Sequence, residues 1–287
     1  MSLHENKQPL VSICIPVYNA EKTIVSTLQS IITQTYQNIE IIISDNASAD
    51  NSLDLIEEFT DPRMAIYKNS VNVGAEKNFT KCIDLATGDY IAIFHADDIY
   101  TPEMVEKQVR TFQENPSIGA VFTAATYINE DNEKIGESKL PDAIKGKKKC
   151  DFGEIFISLL RDGPFLMCPS AMVKSKLYRE LNPFKYEQFG TSSDLDMWLR
   201  ILEKHPIVIL EERLLNYRIS KSQGSYVLMY LRTEKSDFLK TMDYYLSVKS
   251  RDLNIPDDVL DSYEIKRNFD NLLRAVNHLI KNETHDA

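Results

Sequence analysis

Apolar positions along the first half of the chain follow two alternating patterns. Leu10 to Ile15 is a short run rich in branched side chains that Pro16 ends, and Thr23 to Gln34 follows with Ile24, Leu28, Ile31 and Ile32 at helical spacing. The pair predicts a strand, a loop and a helix. Ile39 to Ser44 repeats the strand, the polar stretch Asp45 to Asn51 repeats the loop, and Leu55, Ile56 and Phe59 mark the next amphipathic segment. Arg63 to Tyr67 predicts a third strand, Ala75 to Ala86 a helix closed by Gly88 as its C′ residue, and Asp89 to Phe94 a fourth strand. Thr101-Pro102-Glu103 reads as an N-cap with proline at the first helical position, opening a helix to about Asn115.

Strands that alternate with helices through residue 126 imply an α/β fold with a mainly parallel sheet, helices on both faces and right-handed crossovers. Such sheets take ligands at the carboxyl ends of their strands. Tyr18, Asn19, Asp45, Asn46, Asn72, Asp97 and Asp98 each follow a strand and are expected to converge there. Beyond residue 127 the pattern changes to a turn around Asp131 and Asn132, a helix from Phe152 to Leu160, short strands near 170 and over 208–219, and long helices after 226. The expected organisation is one domain over 1–225, with halves 10–126 and 127–225, and a helical C-terminal extension over 226–287.

Composition narrows the class. With 287 residues, 43% of them hydrophobic, the chain can bury a sizeable core. Its apolar runs fall far short of the roughly 20 residues that span a bilayer. Met1 to Pro9 is polar and lacks a signal-peptide core, so the expected compartment is the cytoplasm. Cys14, Cys82, Cys150 and Cys168 lie too far apart for a zinc or redox motif and read as reduced structural residues. A net charge of −10 argues against nucleic acid as a partner, and the cluster Lys145, Lys147, Lys148 and Lys149 reads as a solvated loop.

The candidate chemistry sits in two places. In Asp89-Tyr-Ile-Ala-Ile-Phe-His-Ala-Asp97-Asp98 a buried strand delivers adjacent carboxylates onto a loop, where they suit Mg²⁺ or Mn²⁺, ions that prefer oxygen ligands and share their shell with phosphates. Capping of the next helix is the other reading of Asp97 and Asp98, with loop bracing a further one for Asp98. In Ser192-Ser-Asp194-Leu-Asp196-Met-Trp198-Leu-Arg200 an aspartate opens an amphipathic helix, as an N-cap or as a general base. Dinucleotide and P-loop cradles are excluded, because the turn after the first strand reads Pro16-Val-Tyr-Asn-Ala20 without glycine. The five histidines lack zinc-ligand spacing, and no G-x-S-x-G elbow occurs.

From about Leu10 to Tyr226 these motifs, in this order, resemble the family 2 glycosyltransferases of the GT-A (Rossmann-like) fold. Val11 to Asn19 looks like the family's opening strand and turn, which frames the nucleotide base with Pro16, Tyr18 and Asn19. Ile41 to Asp50 resembles the strand and D-D-G-S-T-D segment, in which Asp45 matches the uracil contact. Asn72-Val-Gly74, Lys77-Asn78 and Gly88 to Asp98 resemble the approach to the D-x-D metal motif; Asn72, Lys77, Ala96 and Asp97 fall on nucleotide-sugar positions, Asp97 on the metal ligand, and His95 replaces the first acid. Asp194 to Arg200 is similar to E-D-x-D-L-W-L-R, in which Asp194 matches the catalytic base and Ser193 stands for the glutamate. Tyr217-Arg218-Ile-Ser220 looks like Y-R-I-H with serine for histidine.

The resemblance implies an inverting enzyme that uses Mn²⁺ or Mg²⁺ to move a sugar from a nucleotide diphosphate donor, UDP favoured, to a hydroxyl of a glycan or lipid-linked glycan. It places residues 10–126 on the nucleotide-sugar side and 127–225 on the acceptor side, points to surface polysaccharide synthesis, and admits peripheral contact with the inner membrane face and a homodimer. Two other readings stand beside it: a noncatalytic GT-A-like module that binds a nucleotide sugar, and a sugar nucleotidyltransferase.

Overall fold

The computed structural model describes residues 8–181, 184–220, 232–249 and 252–283. Elements alternate at first: β1 (Val11–Val17), α1 (Ile24–Ile32), β2 (Ile39–Asp45), α2 (Ser52–Glu57), β3 (Met64–Lys68), α3 (Ala75–Leu85) and β4 (Tyr90–Ile93). A two-residue β5 (Ile99–Tyr100), α4 (Met104–Glu114), β6 (Ala120–Ile128), β7 (Lys134–Glu137) and α5 (Phe152–Asp162) follow. Then come β8 (Met172–Lys174), α6 (Ser175–Glu180), α7 (Tyr186–Phe189), α8 (Ser193–Leu202), β9 (Ile207–Arg218), α9 (Asp237–Lys249) and α10 (Asp257–Glu283). The expected end of the resemblance, Tyr226, lies outside the described residues.

One sheet runs through both expected halves, in the order β3-β2-β1-β4-β8-β6-β9-β5, with β7 on β6. Its first four strands are parallel, as the alternation predicts. The remainder is mixed. β8 wedges between β4 and β6 antiparallel to both, β9 lies parallel to β6, and β5 lies antiparallel to β9. Strand alternation builds a core on each face of β1: Val11, Ile13, Ile15 and Val17 join α1 and α4 residues on one side, while Cys14 joins α3, α5 and α8 residues on the other. Helices α9 and α10 pack on that second core through Leu239, Met242, Tyr245, Val259 and Tyr263.

Two local expectations change. Thr101 does not cap the next helix: α4 starts at Met104, and the Thr101 Oγ1 is buried without a hydrogen-bond partner among the described residues. The cap comes from the turn after α1 instead, where Gln34 accepts from the Val105 N–H (3.1 Å) and donates to the Thr101 carbonyl (2.7 Å). Gly88 is not a left-handed helix terminator either, since α3 ends in extended backbone at Ala86. It is glycine because a Cβ there would sit 2.7 Å from the Leu10 carbonyl oxygen and 2.8 Å from the Ser12 nitrogen, where the chain enters β4 alongside β1.

Candidate functional site

The carboxyl ends of β1 and β4 meet the N-terminus of α8 around a cavity of about 830 Å³. After β1 the chain turns through Asn19, whose φ of 50° is left-handed. Hydrogen bonds bolt this turn to the loop after β2: the Asn19 N–H donates to the Ser48 Oγ (3.0 Å) and the Asn19 Oδ1 accepts from the Ala49 N–H (2.8 Å). Tyr18 is left 51% exposed, its ring on the cavity wall.

Past β4 the chain is held from three directions. The Tyr100 hydroxyl, on a ring stacked 3.7 Å from Phe94, accepts from the His95 N–H at 2.7 Å. Thr23 and Thr27 donate to the Ala96 carbonyl (2.9 and 3.0 Å), and Thr27 also to that of Asp98 (2.8 Å). From the end of β9, Arg218 spans the site. Its backbone N–H donates to the Asp98 Oδ1 (2.8 Å) and its Nε to the Asp97 carbonyl (2.7 Å); its other nitrogens reach the Asn129 carbonyl (2.7 Å), the Glu130 carbonyl (3.2 Å) and the Asn132 Oδ1 (2.6 Å).

His95, Asp97 and Asp98 each bring one ligand atom within 4.8 Å of the others. Asp98 is fully buried, and burial, reinforced by the charge of Asp97, pushes its carboxyl well above the usual range against the pull of Arg218. Burial lowers the His95 imidazole, and the Asp97 carboxylate opposes that shift. The Asp98 Oδ2 and the His95 Nε2 are buried polar atoms with no hydrogen-bond partner among the described residues. Such orphans are costly unless something pairs with them. The set therefore fits a divalent cation in both chemistry and unmet valence.

Asp194 and Asp196 lie two residues apart and face different ways. Asp196 is fully buried and structural: it accepts from the Arg200 Nε (2.8 Å) and the Tyr245 hydroxyl (2.9 Å). Asp194 is not the N-cap, which is Ser192; it lies in the first turn of α8 and lines the cavity. Burial pushes its carboxyl up to about 6, against hydrogen bonds from the Leu195 N–H (2.7 Å) and its own N–H.

Of the residues expected from the sequence, Pro16, Tyr18, Asn19, Ala96, Asp97 and Asp194 share the cavity wall, and Asp45, Asn72 and Lys77 do not. Asp45 ends β2 beside Val17, 2% exposed, with its Oδ2 accepting from the Ser48 N–H (3.2 Å) and its Oδ1 unpaired among the described residues. Asn72 braces a loop by accepting from Asn46 and from the Gly74 N–H (both 2.9 Å). Lys77 is exposed on α3, beside a separate shallow cavity. The sequence reading missed Glu130 and the Leu166 to Pro169 stretch, which also line the site. An isolated turn acid and an apolar run carry no motif; only the pairing of β8 with β4 and β6 brings the second into place.

A family profile described as glycosyl transferase family 2 matches residues 12–181, more than half of the chain. The chain is a family 2 glycosyltransferase. Relatives agree: an uncharacterized glycosyltransferase of Methanocaldococcus jannaschii, MJ1057, is 35% identical over 223 residues, 75% of this chain and 72% of that protein. The Escherichia coli UDP-Glc:alpha-D-GlcNAc-diphosphoundecaprenol beta-1,3-glucosyltransferase WfgD is 30% identical over 221 residues, 75% of this chain and 79% of its own length. Among solved structures, S. aureus TarS 1-349 in complex with UDP-GlcNAc superposes with a TM-score of 0.66 at 16% identity, over 88% of this chain and 71% of that one. The mannosyltransferase PcManGT of Pyrobaculum calidifontis, in complex with GDP-Man and Mn2+, gives 0.62 at 16% identity, over 95% and 74%. The fold of this glycosyltransferase is thus GT-A. The profile match stops before Asp194, so that residue's role rests on geometry and motif.

Proposed function

We propose that this glycosyltransferase works by inversion, moving a sugar from a UDP-sugar to a hydroxyl of a glycan or lipid-linked glycan in surface polysaccharide synthesis. What carries the reading is that Asp97 and Asp194, from the loop after β4 and from helix α8, line one cavity while burial tunes the Asp194 carboxyl to about 6. A base with that pKa is ionised near neutral pH yet avid enough to take a proton. The acceptor oxygen attacks the anomeric carbon from the face opposite the diphosphate; the new C–O bond forms as the bond to the diphosphate oxygen breaks, and the hydroxyl proton passes to the Asp194 carboxylate. Tyr18 and Asn19 offer a ring and an amide to the base and ribose, and Pro16 fixes the turn that carries them. Asp45, Asn72 and Lys77 act from outside the cavity wall: Asp45 positions the loop after β2 against the base, and Asn72 and Lys77 shape the outer edge of the nucleotide site.

Asp97, with Asp98 and His95 beside it, would hold Mn²⁺ or Mg²⁺, which when bound supplies positive charge against the developing negative charge of the leaving diphosphate. WfgD is named for UDP-Glc and TarS was solved with UDP-GlcNAc, which supports uridine, whereas PcManGT was solved with a guanosine sugar, so the test must include both. Calorimetric titration of UDP, GDP and dTDP into the full chain with Mn²⁺, then with excess chelator, is that test. The expected result is metal-dependent binding of UDP, lost in Asp97→Asn. Binding of UDP undiminished by the chelator removes the metal role, and no binding of any nucleotide removes the donor site. Release of pyrophosphate instead of nucleoside diphosphate would transfer the chain to nucleotidyl chemistry.

A further inference from the structure

Helix α10 is turned inside out relative to an ordinary surface helix. It has 27 residues and so extends about 40 Å. Its first turns bury Val259 and Tyr263 in the core. Farther along, the face toward the protein is polar: Asp270 (4% exposed) pairs with Arg232 (2.6 Å) and Arg274 (3.0 Å), and Asn277 (3% exposed) donates to the Arg232 carbonyl (2.8 Å). The opposite face carries Ile265, Phe269, Leu272, Val276 and Leu279, exposed by 70, 67, 62, 44 and 65%. A lone soluble helix arranges these faces the other way round.

The outer residues also follow a rule. Their spacing alternates four and three along the chain over two heptads, as the seam of a helix pair requires, and Ile280, 47% exposed, flanks it. We propose that α10 pairs with α10 of a second copy of this chain, so that the protein is a homodimer whose interface is this seam. Area supports it. Five side chains of this size at those exposures present on the order of 500 Å² of apolar surface, in the upper part of the range for the largest patch on a monomer, where such patches often serve as contact sites. Two copies would therefore cover about 1,000 Å² of apolar surface together, where specific interfaces begin. Charge selects the second copy over an anionic lipid surface. Of the cations near the seam, Lys266 donates to the Arg161 carbonyl, Arg267 pairs with Glu264 and Arg274 pairs with Asp270. A lipid-bound helix would carry its lysines and arginines unpaired along the rim of the apolar face.

The test is the mass of the full chain in solution by light scattering, with 33.0 kDa per copy. The expected result is a dimer at micromolar concentration that dissociates on dilution, and about 100-fold or greater weakening in the double variant Phe269→Glu, Leu272→Glu. Because both positions are exposed, the variant should keep its circular dichroism and its nucleotide binding; Leu272→Ser is the milder variant if it does not. A wild-type monomer at all concentrations, or a dimer that survives these substitutions, overturns the proposal. Flotation of a monomeric wild type with phosphatidylglycerol vesicles would also overturn it, in favour of a lipid partner.

Discussion

A carboxylate that must be ionised to accept a proton sits, in Asp194, where burial holds its pKa up to about 6. The folded chain thus binds this proton more tightly than the unfolded chain, whose aspartate titrates near about 3.9. Stability from this group is complete below that value and is lost as pH rises from about 4 to about 6, while the active form of the base appears over the same interval. Two outcomes are expected. The logarithm of kcat should rise with pH and level off above about 6, and Asp194→Asn should lower kcat by about 100-fold to 10,000-fold. The same variant should be more stable than wild type at pH 8, by on the order of 1–3 kcal/mol before solvent screening reduces it, and no more stable at pH 4; urea denaturation at both pH values checks this. Residue chemistry was only half legible in the sequence. Asp194 and Asp196 are the same residue type two positions apart, and what separates them is Tyr245 and Arg200, which bury and bond one and leave the other at the cavity. Position 45 shows the converse, a motif-bearing carboxylate that lies almost wholly buried beside the cavity instead of lining it.

Elements were the most legible scale where partners are close in sequence. β1 to β4 and the helices between them fall within a residue or two of the runs that predict them, because β1, β2 and β4 are blocks of apolar residues buried on both faces and the half-buried edge strand β3 pairs with β2 alone. Caps and close approaches depend on distant chain, and there local rules failed. Gln34, from the turn after α1, occupies the role that Thr101 has by motif. Gly88 meets the backbone of Leu10 and Ser12, a contact that its neighbours in sequence do not reveal. Gly88→Ala should therefore destabilise the chain by about 1–3 kcal/mol through the clash with immobile backbone, with turnover per folded molecule unchanged. Urea unfolding paired with an activity assay measures both; a change under about 0.5 kcal/mol would mean that β1 and β4 can part without cost.

At the scale of the molecule, the end of β9 is tied to the loop after β4 through one residue. Arg218 bonds Asp97 and Asp98 on one side and the turn at Asn129, Glu130 and Asn132 on the other, so the cation candidate and the rim that presents Glu130 move together. Lysine keeps the charge and the backbone bond to Asp98 but cannot span the four side-chain partners with a planar fork. Arg218→Lys should fold, by circular dichroism, and lose about 10-fold or more in kcat because the reacting groups are no longer held in register; unchanged kcat would mean that the tie is only structural. The wedge strand β8 has a different consequence, for the order in which the chain can become a protein. A growing chain that has emerged only as far as β7 has made β4 and β6 but not the three residues that close the gap between them, and it offers two bare strand edges to any neighbour. The joining of β4 to β6 waits for residues 172–174 to arrive, so a chain cut between 137 and 172 should clump rather than fold, and an early stop codon here would yield aggregate instead of half an enzyme.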